Sequence, residues 1–234
     1  MEKIINIDFH AHILPEMDHG CDSVNTALKQ LYMAQQVGVD VVVATSHFYP
    51  HAESVESFIA RREEAFQKLH TAMETSTEVL PMVLKGAEVL VCRDMEDMEG
   101  LKNLCVEGTN TLLLEMPFAV SWEDELYKTV KKICNENISV VLAHAERYNP
   151  KLIEPLYGWI KGVQINVASV GLSKRSARVR KYHKDDIIVA LGTDIHGTGN
   201  YYRKYKKACK TLGFYTEAIQ QRMMELIDVQ EYRD

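Results

Sequence analysis

Three histidines and two aspartates fall within a stretch of thirteen residues near the start of the chain. The stretch reads DFHAHILPEMDHG, from Asp8 to Gly20, and follows a short and mostly apolar run at residues 4–7. His10 and His12 are two residues apart, and side chains at that spacing on an extended strand point to the same face. Two imidazoles side by side at a strand end make half of a metal site, so the rest of the chain has to supply the other half.

Further potential ligands lie at or near the C-terminal ends of other predicted strands. They are His47, Glu88, Glu115, His144, Asp194 and His196. In parallel α/β architectures, functional sites are built at that end of the strands. Imidazoles and carboxylates without thiolates are typical of catalytic manganese, iron or zinc clusters rather than of structural zinc sites. Together with His19 the set is large enough for two or three divalent ions, and multinuclear sites favour hydrolysis, especially at phosphorus.

Strands and helices alternate along the chain, and they must position these ligands. Strand composition marks Lys3–Phe9, Val39–Thr45, Val79–Val91, Thr111–Met116, Ile138–Ala143, Gly162–Val167 and Ile187–Leu191. Helices are predicted at Ser23–Val37, Ser54–Met73, Pro150–Ile160, Lys174–His183, Tyr201–Leu212 and Thr216–Ile227, and a capping-box pattern at Ser121 predicts another to Cys134.

The fold class that this alternation predicts is α/β. Near-continuous apolar strands, most of them followed by a helix, favour parallel pairing with helices outside. A barrel of β/α units and an open doubly wound sheet fit the pattern equally well. The chain shows no linker, composition break or internal repeat, so residues 1–234 are expected to form a single domain.

The overall composition narrows the function classes. The net charge of −6 argues against general nucleic-acid binding, which usually requires a basic surface. No stretch approaches the roughly 20 apolar residues that span a bilayer, and the N-terminus lacks the apolar core of a signal peptide. We therefore expect a cytoplasmic protein without membrane insertion.

The five cysteines are scattered and never form a CxxC pair, which indicates reduced thiols. A cysteine-based tyrosine phosphatase would carry an arginine six residues after its nucleophile. Those positions hold Ala27, Met98, Thr111, Val140 and Tyr215, so that mechanism has no support. Neither a GxSxG elbow nor a P-loop is present.

The order of the motifs resembles that of a known superfamily. HAH, the strand-end histidine, AEV, LEMP, HAERY and TDIH follow one another as in the polymerase-and-histidinol-phosphatase (PHP) superfamily. The opening stretch followed by a helix is most similar to its bacterial tyrosine-protein phosphatase branch, whose members are encoded with capsule and exopolysaccharide systems. The resemblance implies a distorted (β/α)7 barrel of the TIM-like type, with a trinuclear site that is usually described with manganese.

The resemblance also implies a role for each ligand. The first ion would be held by His10, His12, Glu88 and Asp194, the second by Glu88, Glu115 and His144, and the third by His47, His196 and position 19. The branch usually reads DDG where this chain reads Asp18-His19-Gly20. We expect His19 to bind in place of the usual aspartate and Asp18 to shape the loop.

Two arginines complete the expected site. Arg147, three residues after His144, would contact the substrate phosphate, because its planar fork suits a phosphoryl group. Arg203, in the region after His196, is a second candidate for substrate contact. The residues expected to take part in the reaction itself are Arg147, Asp194 and His196.

The expected activity is hydrolysis of phosphotyrosine in a protein by a metal-activated hydroxide. By resemblance, the substrate would be a bacterial tyrosine kinase that controls polysaccharide synthesis. Two or three divalent ions are expected, with manganese first and iron or zinc as alternatives. A small-molecule phosphatase acting on a substrate such as histidinol phosphate, and a non-catalytic metal-binding module, remain alternatives. The oligomeric state is left open.

Overall fold

The computed structural model describes residues 4–171 and 174–228. Within them the strands are β1 (Ile7–Ala11), β2 (Val41–Ala44), β3 (His47–Phe48), β4 (Met82–Lys85), β5 (Glu88–Leu90), β6 (Thr111–Glu115), β7 (Ser139–Leu142), β8 (Gly162–Asn166) and β9 (Ile188–Gly192). The helices are α1 (Val24–Gln35), α2 (Val55–Glu74), α3 (Asp124–Asn135), α4 (Pro150–Ile153), α5 (Lys174–Lys184), α6 (Tyr201–Leu212) and α7 (Phe214–Leu226).

The strands form two parallel sheets, ordered β1-β2-β4 and β3-β5-β6-β7-β8-β9. The sheets are continuous with each other, because β2 runs into β3 across residues 45–46 and β4 runs into β5 across residues 86–87. Backbone hydrogen bonds span both interruptions, from Gly86 N to Ala44 O (2.9 Å) and from Glu88 N to Ser46 O (3.0 Å). Counted this way, the described segments make the seven strands that the sequence predicts.

The last strand returns to the first. Beyond β9, Asp194 N donates to His10 O (2.7 Å) and His12 N donates to Ile195 O (3.3 Å), and Ala11 forms a parallel bridge with Ile195. The ring of parallel strands therefore closes at a β1–β9 seam, with α-helices between most successive strands and two 3-10 segments between β5 and β6. This arrangement confirms the distorted (β/α)7 barrel and removes the open doubly wound sheet.

The structure corrects two predicted helices. The capping box at Ser121 is wrong, because α3 begins at Asp124 after Glu123, whose side chain makes no capping hydrogen bond. Trp122 is instead buried, with Nε1 donating to Pro117 O (2.9 Å), and this holds the preceding residues in a loop. The helix predicted to reach Ile160 ends at Ile153 and gives way to a 3-10 turn containing Pro155, which cannot continue the hydrogen-bond ladder.

The strands carry much of the hydrophobic core. Phe9, Val42, Leu113, Val141 and Ile165 are fully buried, as expected for strands covered on both faces. All five cysteines are free thiols. Among the described residues, no helix combines the length and apolar character that crossing a membrane requires.

Candidate metal centre

His10 and His12 form the inner wall of the site on β1. The strand begins later than predicted, so His10 lies inside β1 and His12 lies one residue beyond it. Both side chains are fully buried, and their Nε2 atoms face each other at 3.2 Å. The predicted pairing of the two imidazoles on one face is therefore present in the structure.

Two glycines make room for these rings. A Cβ on Gly20 would lie 2.1 Å from the Cβ of His12, and one on Gly192 would lie 2.4 Å from the Cβ of His10. Real Cβ atoms do not approach that closely, so any larger residue would push the histidines inward. The loop after β1 and the end of β9 can therefore pack against the wall only with glycine at these positions.

Glu88 lies opposite His10 and His12, and its two carboxylate oxygens face different residues. Its Oε2 lies 3.1 Å from His10 Nε2 and 3.2 Å from His12 Nε2. Its Oε1 lies 2.7 Å from His144 Nε2, which is also 3.2 Å from Glu115 Oε1. One carboxylate thus faces two sets of donor atoms, which is the geometry of a bridging ligand.

Asp194 joins the first of these sets. Its Oδ1 lies 3.4 Å from His12 Nε2 and 3.7 Å from His10 Nε2. Asp194 and His144 both have left-handed backbones, with φ of 51° and 32°. Left-handed conformations are uncommon for residues other than glycine and concentrate at functional sites.

A third group lies toward the mouth of the barrel. Ligand atoms of His12, His47 and His196 lie within 4.8 Å of one another. His19 is exposed, and its ring centroid lies 4.5 Å from that of His196 and 5.2 Å from that of His47, against which it is stacked. His19 therefore reaches the edge of this group rather than its centre.

Asp18 lies behind His12 rather than beside the other ligands. Its Oδ2 accepts from His12 Nδ1 (2.8 Å) and from His47 N (2.9 Å), and its Oδ1 accepts from Gly20 N (2.8 Å). These bonds shape the loop, as the sequence predicts for Asp18, and they leave His12 Nε2 turned inward.

The electrostatics of the cluster favour bound positive charge. Burial alone would lower the pKa of His12, but hydrogen bonds with Asp18, Asp194 and Glu88 raise it well above its ordinary value. Burial also opposes ionisation of Glu88, yet the charge and hydrogen bond of His10 hold the pKa of Glu88 well below its usual range. The carboxylates therefore stay ionised and attract protons or cations.

Several buried atoms of the cluster fit metal ions. Among the described residues, His47 Nδ1, Glu88 Oε2 and His196 Nε2 are buried and make no hydrogen bond of good geometry, although Glu88 Oε2 lies 3.0 Å from His47 Nδ1 and 3.1–3.2 Å from the Nε2 atoms of His10 and His12. Buried polar atoms that lack hydrogen bonds are costly, and a cation would satisfy all three. Burial and the charge of His12 lower the pKa of His196, which favours the neutral imidazole that binds metals. The donor set, nitrogen and carboxylate oxygen, fits the expected divalent ions.

The two arginines differ in position. The guanidinium Nη2 of Arg147 is paired with Asp194 Oδ2 at the edge of the cluster, so Arg147 is within reach of anything bound there. Arg203 lies on an exposed face of α6, and no contact among the described residues connects it with the cluster.

Sequence reasoning missed four buried polar residues around the ligands. Asp8 accepts from Thr193 N (2.8 Å) and Thr193 Oγ1 (2.6 Å) across the β1–β9 seam, and burial raises the pKa of Asp8 to about 6 despite these bonds. Gln164 and Asn166 lie on β8 and contact His10 and Asp194. Their only signal in the sequence is two polar residues at alternate positions of a buried strand.

The sequence matches a family model and several named relatives. The sequence model of the family described as "Capsular polysaccharide synthesis, CpsB/CapC" matches residues 6–227. The chain is 29% identical over 145 residues to the tyrosine-protein phosphatase CpsB of Streptococcus agalactiae, an alignment that covers 61% of this chain. That alignment spans only 58% of the relative's length. Identity to CpsB of Streptococcus pneumoniae is 25% over 210 residues, with 81% of this chain and 82% of that protein covered.

Among solved structures, those of YwqE from Bacillus subtilis and CpsB from Streptococcus pneumoniae, described as unique metal-dependent tyrosine phosphatases, match with a TM-score of 0.81. The match has 21% sequence identity and covers 95% of this chain and 93% of the solved one. At that identity the likeness establishes the fold.

Proposed function

The chain belongs to the CpsB/CapC family of capsular polysaccharide synthesis, and from that premise we propose that it is a metal-dependent protein-tyrosine phosphatase. The observation that carries the proposal is the buried position of Glu88, whose Oε2 faces His10 and His12 and whose Oε1 faces His144. Relatives in the family are named tyrosine-protein phosphatases, which supports the same activity.

We propose that the cluster holds two or three divalent ions, with manganese first and iron or zinc as alternatives. The first ion is assigned to His10, His12, Glu88 and Asp194, the second to Glu88, Glu115 and His144, and the third to His47, His196 and His19. When bound, such ions would activate a water molecule and neutralise charge on the phosphoryl oxygens.

Arg147 is assigned to the substrate phosphate. Its guanidinium is about one-third exposed and paired with Asp194 Oδ2, so it can turn toward the mouth without crossing the core. Asp194 and His196 are assigned to the reacting centre through the ions they hold. Arg203 remains a prediction for contacts farther from the phosphate. These assignments rest on the position of each side chain and on the chemistry of its donor atoms.

The proposed substrate is a phosphotyrosine in a protein, and more narrowly in a tyrosine kinase that regulates polysaccharide synthesis. A tyrosine phenolate, with a pKa near 10, is a better leaving group than a serine alkoxide and requires less proton donation. We also propose that residues 1–234 form one phosphatase domain acting in the cytoplasm. One buried hydrophobic cluster that extends from Ile7 to Ile227 supports the single domain.

The test compares initial rates on a phosphotyrosyl peptide, a phosphoseryl peptide and histidinol phosphate, before and after removal of metals and after addition of manganese. The proposal expects metal-dependent hydrolysis with the phosphotyrosyl peptide preferred. Preference for histidinol phosphate would instead indicate a small-molecule phosphatase. Bound metal without turnover of any phosphoester would identify a non-catalytic module.

A further inference from the structure

One strand of the ring carries none of the predicted ligands. The others each bring at least one candidate ligand to the carboxyl ends of the strands, whereas β8, with sequence GVQIN, brings two neutral amides. Gln164 and Asn166 are both buried, and their alternate positions place them on the same face of the strand. A buried amide that makes no use of its donors and acceptors is costly, so the partners of these two amides are informative.

A backbone donor fixes the orientation of the first amide. His144 N donates to Gln164 Oε1 at 2.7 Å, and a backbone N–H can only donate. The atom at that position must therefore be the amide oxygen. The same oxygen lies 3.0 Å from His10 Nδ1, so that nitrogen must carry the proton. The Nε2 of His10 is then the nitrogen with a free lone pair, and it is the one that faces Glu88 and His12.

The orientation of the Asn166 amide follows from that of Gln164. With its oxygen occupied, Gln164 donates through Nε2 to Asn166 Oδ1 (2.9 Å). Asn166 must then present Nδ2 on its other side, and that nitrogen donates to Asp194 Oδ2 (2.7 Å). Because Oδ2 is held there and also receives Arg147, Asp194 Oδ1 is the oxygen left facing the two histidines.

We propose that Gln164 and Asn166 form an amide relay that selects the metal-binding atoms of His10 and Asp194. They are positioning residues, since neither is assigned to an ion or to substrate. The proposal rests on the metal centre of the proposed function, but its test measures metal binding and proton position rather than turnover. Partners behind the ligands typically change metal affinity by about 10–100-fold when removed.

The sharpest variants are Gln164→Met and Gln164→Glu. Methionine has a similar length but accepts no strong hydrogen bond, so His10 Nδ1 loses its acceptor and the proton can move to Nε2. Glutamate keeps the acceptor for His10 and for His144 N but loses the donor to Asn166 Oδ1, so it cuts only the second step. The relay therefore expects manganese affinity to fall about 10–100-fold in Gln164→Met, and to fall less in Gln164→Glu, where His10 stays protonated on Nδ1. A role in packing alone expects the reverse, because an apolar residue suits a buried place better than a charge.

Gln220 supplies a matched control. It is buried at the opposite end of β1, where Oε1 accepts from Ile7 N (2.9 Å) and Nε2 donates to Tyr205 Oη (2.8 Å). Gln220→Met and Gln220→Glu make the same chemical changes far from the ligands. They are expected to lower the melting temperature and to leave manganese affinity unchanged.

Affinity is measured by competition with a chelator of known affinity, metal content by elemental analysis, and the protonated nitrogen of His10 by nitrogen NMR of the zinc-loaded protein. If Gln164→Met does not fold, Asn166→Leu cuts only the second step, and the relay expects weaker binding there with His10 still protonated on Nδ1. Original affinity in Gln164→Met or Asn166→Leu, or weaker binding in Gln164→Glu than in Gln164→Met, overturns the relay. Absence of metal from the unaltered protein would instead count against the proposed function.

Discussion

The side chains of His10 and His12 lie next to each other, but a neutral amide orients one and a carboxylate orients the other. Each lies over a glycine that admits no side chain, and each turns Nε2 toward Glu88 at nearly the same distance. Behind His10 is the neutral amide of Gln164, held within the barrel by β8. Behind His12 is the carboxylate of Asp18, held by the loop after β1.

The difference shows two ways to orient a ligand. The amide adds no charge, and its direction is set by a backbone donor in the core. The carboxylate adds charge, so it makes His12 more basic, and it also bonds to the backbone of His47 in the outermost group. Burial raises the pKa of Asp18, but the hydrogen bond and charge of His12 outweigh it and lower that pKa below its ordinary value. His10 is therefore oriented by a neutral hydrogen bond inside the barrel, and His12 by an ion pair with the loop after β1.

Substituting Glu88, which faces both His10 and His12, should cause the largest loss of activity. Glu88→Gln keeps the shape of the side chain but loses the charge that faces both imidazoles, and we expect phosphatase activity to fall on the order of a thousand-fold or more.

Alanine at His10 or Asp194 should abolish hydrolysis of p-nitrophenyl phosphate while leaving the fold. Circular dichroism checks the fold, and His70→Ala, an exposed histidine on α2, is the control. Near-normal rates after metals are stripped and restored would contradict the ligand scheme.

Replacing the carboxylate behind His12 by a neutral amide, like the one behind His10, should cause the next largest loss of activity. Asp18→Asn keeps one acceptor oxygen, which can serve His12 Nδ1 and His47 N, but it removes the charge and the acceptor for Gly20 N. We expect manganese affinity and activity to fall by about 10–100-fold. The comparison of the two histidines predicts a larger loss here than in Gln164→Glu, measured by the same chelator competition. Equal losses would mean that the charge behind His12 has no separate role.

The metal-free protein should respond to pH in a way that the metal-loaded protein does not. Burial lowers the pKa of His144, but hydrogen bonds with Glu115 and Glu88 raise it from 6.5 to about 9. A histidine whose pKa is raised in the fold stabilises it fully below the unfolded value and loses that contribution as pH rises through the folded value. The melting temperature of the metal-free chain should therefore fall between pH 6.5 and about 9. A flat profile in the metal-free chain would contradict the paired histidine–carboxylate cluster.

His19 should show the smallest effect. It is exposed and touches only the edge of the outer group, so His19→Ala should reduce manganese affinity by less than about tenfold. His19→Asp should shift preference from zinc toward manganese, because carboxylate suits the harder ion. Measuring both affinities in each variant decides this. A loss as large as that of Asp18→Asn would place His19 among the principal ligands.

The sequence was informative where residue type alone carries chemistry. Histidines and carboxylates after successive apolar strands predicted the cluster, and the alternation of elements predicted parallel strands with helices outside but not how the sheet closes. The partner of a buried amide is not encoded in that way, because Gln164 follows His10 by 154 residues and meets it only through the closed ring. The helix predicted at Pro150–Ile160 fails for a local reason, because Pro155 cannot continue the hydrogen-bond ladder beyond Ile153.

The seam between β1 and β9 has a consequence for synthesis of the protein. Asp8 meets Thr193 across 185 residues, and the first ligands on the nascent chain are completed only by Asp194 and His196, near the far end of the ring. At translation rates of about 5–20 residues per second, the first strand waits on the order of ten seconds or more for its neighbour to leave the ribosome. During that interval β1 has an open edge and an incomplete ligand set. The ligand sets assigned to the first and third ions would therefore be completed only late in the synthesis of this chain, after the set assigned to the second ion.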